Sequence, residues 1–155
     1  MLKALRSFLS ELTGADEERR FSEDDHRLAA AALLYHVIAV DGSVSEKERT
    51  RLHDLLKARY ALAEEETEDL IREAETADDE AVDLYRFTSI LKDRLDDDGR
   101  EQIIAMMWDL VYQDDHVHEF EENVIWRVAE LLGVSSRERI RLKKIIQSGG
   151  APVLS

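Results

Sequence analysis

The sequence predicts an all-α protein, one helical bundle of about seven or eight helices. Three observations carry that expectation. The 155 residues are 44% hydrophobic and 36% charged with one proline and six glycines, a composition with few helix breakers. Apolar residues recur at three- and four-residue spacing through most of the chain. Serine- and aspartate-based cap signatures punctuate that pattern at short intervals. The length is that of one ordinary domain, enough to bury a core without disulfides, and the chain has no cysteine to form them.

The elements follow in order. Leu2, Leu5, Phe8, Leu9 and Leu12 form an amphipathic helical stripe over residues 1–13, with Lys3 and Arg6 beside it. Arg6 and Glu11 interrupt any leader-like apolar region, so no secretory signal is expected. The stripe packs on the bundle or a partner, or lies on a membrane surface. Residues 14–21 read as a polar linker, 22–147 as the helical domain and 148–155 as a flexible tail. Within the domain, Ser22 to Asp25 cap a helix carrying Leu28, Ala32, Tyr35 and Ala39 up to Gly42. Ser45 and Glu48 have capping-box spacing, followed by Leu52, Leu55 and Leu56 on one face. Further helices are expected over Glu64 to Ala74, Asp79 to Leu95 and Gly99 to Tyr112. Tyr35, Trp108 and Trp126 sit on apolar stripes and read as core.

The pattern then returns. "LLYHVIAVDGSVSEKE" aligns without a gap on "MMWDLVYQDDHVHEFE", so that Asp41, Val44, Glu46 and Glu48 recur as Asp114, Val117, Glu119 and Glu121. Ser135 and Glu138 repeat the capping-box spacing before a last helix. The expectation is two pseudo-symmetric three-helix units, separated by one spacer helix, that bury their apolar faces against each other.

The two loops, "VDGSVSEKE" and "QDDHVHEFEENVIWRVAELLGV", resemble the TerB tellurite-resistance family, and the module is also similar to the N-terminal domain of DjlA-class co-chaperones. The resemblance spans about Leu28 to Ile146. It implies an all-helical domain with an acidic surface where the loops approach, suspected of holding a divalent cation, and a role in stress or metal(loid) resistance. The second loop departs from the doubled pattern, with Asp115 in place of the glycine and two imidazoles, His116 and His118.

Neither loop is an EF-hand. With Asp41 at loop position 5 and Glu48 at 12, positions 1 and 3 fall on Val37 and Ala39, and in the second loop on Leu110 and Tyr112. Hydrocarbon side chains cannot replace calcium's water shell. Two readings stay open. In one, Gly42 ends a helix and Ser45 with Glu48 starts the next. In the other, Asp41, Glu48, Asp114 and Glu121 converge on a shared calcium, magnesium or manganese ion, since such a cluster is costly unless protonated or balanced by a cation. Asp115, His116 and His118 are candidate additional ligands, and the imidazoles would favour zinc, although the standard zinc spacing is missing.

The formal charge of −14 opposes nucleic-acid binding, which rests on phosphate neutralisation. It fits cations or a basic protein partner. Glu64 to Glu80 carries ten acidic residues against one arginine, and Arg137 to Lys144 five basic residues against one glutamate. These runs are solvated helix faces or docking poles. No phosphate loop, nucleophile elbow or His-Glu-x-x-His motif is present, so no catalytic residue is expected. The function expected is a cation-responsive interaction module. A purely structural adaptor and a metal-dependent hydrolase are the alternatives. The expected location is the cytoplasm, with residues 1–13 leaving the inner membrane surface open.

Overall fold

The computed structural model describes residues 20–114 and 117–154. Among them are seven helices and no strand: α1 (His26–Ala39), α2 (Glu46–Tyr60), α3 (Glu64–Glu80), α4 (Tyr85–Arg94), α5 (Asp97–Val111), α6 (Glu119–Leu132) and α7 (Ser136–Gln147). The all-α class holds, and the elements run in the expected order, with α4 between the two helical triplets. The helix expected over residues 1–13, and the linker up to residue 19, lie outside the described residues.

α1 is the spine. The Asp25 carboxylate caps it by accepting the Arg27 N–H at 2.9 Å. Its residues 28–35 are all buried, with Ala29 to Ala32 at most 1% exposed. A helix apolar on every side must be surrounded, and α1 packs against α2 through α6. α5 is its counterpart: Asp96 accepts the Gly99 N–H at 2.8 Å, and residues 103–111 are buried. α5 packs chiefly against α7, where the Trp108 indole donates to the Arg139 carbonyl at 3.2 Å.

Two tight turns complete the triplets. Ala61 takes a left-handed conformation after α2, with the Leu62 N–H returning to the Lys57 carbonyl at 3.1 Å. Gly133 does the same after α6, with the Val134 N–H on the Ala129 carbonyl at 2.8 Å.

Three expectations need correction. α3 runs to Glu80 rather than Ala74, and the next helix starts at Tyr85 rather than Asp79. The acidic run at 78–80 resembles a helix start, yet Ala77 continues the core face and Asp78 is held by His36 at 2.7 Å. The start of α4 is instead set by Asp83, which accepts the Tyr85 N–H at 2.9 Å. Trp126 is 50% exposed and not core, whereas Tyr35 and Trp108 are buried. The acidic face of α3 is also partly spent on the fold. Glu64 pairs with Lys57 at 2.8 Å, Asp69 with Arg20 at 2.9 Å, and buried Glu73 accepts the Arg20 and Phe21 N–H groups. Beyond α7, Pro152 is buried and Leu154 packs against the core.

Candidate functional site

The loop after α1 is shaped by its own residues. Gly42 has φ +93°, a conformation that a side chain would strain, and Asp41 Oδ1 accepts the Ser43 N–H at 3.2 Å. α2 then begins with a complete capping box. Ser45 Oγ accepts the Glu48 N–H at 3.1 Å, and Glu48 Oε1 accepts the Ser45 N–H at 2.9 Å. In the second loop only the return half is made: Glu121 Oε1 accepts the His118 N–H at 2.9 Å, and the His118 side chain makes no cap hydrogen bond.

Capping accounts for one oxygen of each glutamate. Both residues are 1% exposed, and the second oxygen of each, Oε2 of Glu48 and Oε2 of Glu121, is buried with no hydrogen-bond partner among the described residues. Orphaned buried carboxylate oxygens are rare because desolvation is uncompensated. Capping boxes do not require it: Glu66 caps α3 from a half-buried position, accepting the Ala63 N–H at 3.0 Å in a bond open to solvent.

The two loops meet. His118 Nε2 lies 3.8 Å from Asp41 Oδ2 across them. Burial raises the Glu48 carboxyl above its ordinary value. The Ser45 backbone N–H opposes that rise, while the charges of Asp114 and Asp41 add to it. Glu121 is pushed up to about 7, first by burial and then by Glu48 and Asp41, against the lowering effect of the His118 N–H. Asp41, Glu48, Asp114, Glu121 and His118 thus share one electrostatic neighbourhood at the start of α2 and α6. Asp115 and His116 lie outside the described residues.

The donor set fits a hard cation in chemistry, with carboxylate oxygens dominant and two of them lacking partners. Among the described residues, however, no three carboxylates or imidazoles are disposed to hold a metal ion. The fit is one of donors and charge, not of a closed coordination shell.

A clamp beside the loops was not foreseen. Arg51 on α2 makes a two-pronged ion pair with Asp109 on α5, both contacts at 2.7 Å, and Gln113 Nε2 donates to Asp109 Oδ1 at 3.1 Å. The signal was a lone acid in the apolar run "IIAMMWDLV", since an ionised carboxylate on a buried helix face needs a cation.

The family model described as Tellurite resistance protein TerB matches residues 27–144. No curated protein and no solved structure matches the chain.

Proposed function

The chain belongs to the TerB tellurite-resistance family, and on that footing we propose that this helical module answers to a divalent cation through its two acidic loops and passes the response to a protein partner. The observation that carries the reading is the pair of buried glutamates, Glu48 and Glu121, each with an orphaned Oε2 beside other carboxylates. A cation would balance charge that the fold otherwise leaves as repulsion. The carboxylate-rich set favours calcium, magnesium or manganese over zinc. Asp41 and Asp114 would supply further oxygens from the loops, with His118, and Asp115 and His116 nearby in sequence, as supplementary donors. The expected readout surface is α6, which starts at the site and exposes Phe120 and Trp126. Aromatic residues of this kind anchor protein interfaces.

A second reading has its own support: the complete Ser45–Glu48 box would make the loop a helix stop and start within a metal-free structural adaptor. Thermal melts separate the two. With a divalent ion at a hundredfold excess over its dissociation constant, the wild-type chain should gain about 2.7 kcal/mol. The double variant Glu48→Gln with Glu121→Gln should lose the gain while keeping its helix starts, because glutamine can still accept the cap hydrogen bond. If calcium, magnesium, manganese and zinc all leave wild-type melting unchanged, the cation reading fails and the adaptor stands.

A further inference from the structure

Away from the loops, a groove of about 410 Å³ lies between α3 and α4 beside the first turn of α1. Leu28, Ala77, Ala81 and Phe87 give it an apolar lining. Val82, in the four-residue break between α3 and α4, stands at its margin and is 99% exposed. Four carboxylates, Glu23, Glu73, Glu80 and Asp83, outnumber Arg72 and Arg86 in its lining. Nothing in the cation reading uses this surface.

The chain comes into the described region at the groove's wall. Glu73 lines the groove, and its carboxylate accepts the Arg20 N–H at 3.0 Å and the Phe21 N–H at 3.1 Å. Phe21 is 2% exposed beneath the Arg27 guanidinium, which lies 4.8 Å from its ring centre, so this attachment is firm. Residues 13–19 extend at most about 25 Å. The apolar stripe of Leu2, Leu5, Phe8, Leu9 and Leu12 is therefore tethered within reach of the groove. The charges match in balance as well: Lys3 and Arg6 flank the stripe, and the four carboxylates in the groove lining exceed its two guanidiniums. An apolar stripe laid in a hydrophobic groove is a recurrent recognition mode.

We propose that this groove seats the protein's own residues 2–12, with Leu5, Phe8 and Leu9 against Ala77, Ala81 and Phe87 and the basic residues toward Glu80 and Asp83. The stripe is thereby covered by the bundle that carries it.

The absence of cysteine makes the test clean. In the full chain, Ser10→Cys with Val82→Cys provides the only two thiols without touching the apolar stripe, to be joined by a short bis-maleimide, and Val82 is exposed enough for its replacement to leave the fold intact. A tether alone gives an effective concentration of about millimolar. The comparison is therefore the same pair carrying Leu5→Glu and Leu9→Glu, with the tether unchanged. Docking predicts intramolecular cross-linking that the two glutamates slow by about tenfold or more, since each leucine removed from an apolar site is worth at least that factor. A spin label on Val82→Cys alone should broaden the backbone signals of residues 2–12. Equal cross-linking rates with and without the glutamates, cross-links formed between two chains, or no such broadening would each overturn the proposal.

Discussion

Glu121 meets two opposed demands. Its Oε1 starts α6 by taking the His118 N–H, while burial and neighbouring carboxylates push its pKa up to about 7. In the unfolded chain the group ionises near its ordinary value, so as pH rises the unfolded state releases its proton first. Stability from this residue is thus full below about 4.5, falls between there and about 7, and is flat above, a loss on the order of 3 kcal/mol at most. Glu48 is shifted in the same direction. Urea denaturation at pH 5 and pH 8 should therefore show Glu121→Gln more stable than wild type at pH 8 and little changed at pH 5. An unaltered slope would assign the buried charge elsewhere. A bound cation would displace this proton, so any ion-dependent gain should be larger at pH 8 than at pH 5. The spacing of Asp41, Glu48, Asp114 and Glu121 was legible because the repeat doubles it. Their burial was not, since exposure depends on which helices close over a loop, and local sequence does not encode that.

Among the helices, starts were easier to read than ends. Ser45 and Ser135 both accept the N–H three residues on, at 3.1 Å, as their spacing implied. Only Ser45 has the reciprocal bond; Glu138 turns to Arg141 at 2.8 Å instead. Ser45→Ala should cost about 1 kcal/mol in chemical denaturation, and on the cation reading it should leave the ion-dependent gain in place. The end of α3 departs from its sequence pattern because acidic residues usually mark a first turn, whereas Asp78 at a last turn is held in a contact with the His36 ring from another helix. Partners distant in sequence are not named by local pattern: the lone Asp109 in its apolar run signals that a cation is needed, but not that Arg51 supplies it. Asp109 is 7% exposed in its side chain and Arg51 33%. Arg51→Met should cost about 2 kcal/mol, below the range for fully buried pairs because Arg51 is partly in water. Adding Asp109→Leu should recover much of that loss, as measured by a double-mutant cycle.

For the whole molecule, the all-α class and the order of helices followed from composition and periodicity, and the half-exposed Trp126 shows where periodicity alone stops. An apolar position names a helix face without naming its neighbour, and on α6 the face that carries Trp126 is left half in water. Since α1 packs against five other helices, the described bundle has one continuous core. Thermal unfolding followed by circular dichroism and by calorimetry should give one coincident transition; two separated transitions would mean the helical triplets fold apart. That central helix also sets a schedule for synthesis. α1 is finished at residue 39, but α6, the last helix packed around it, is complete only at residue 132. At about 5–20 residues per second, its alanine- and leucine-rich surface waits roughly 5 to 20 s on the ribosome before its final neighbour exists. The nascent chain completes its stickiest helix long before that helix is fully covered, which makes the synthesis of residues 40–132 the interval in which this protein is most exposed to aggregation and most in need of a chaperone.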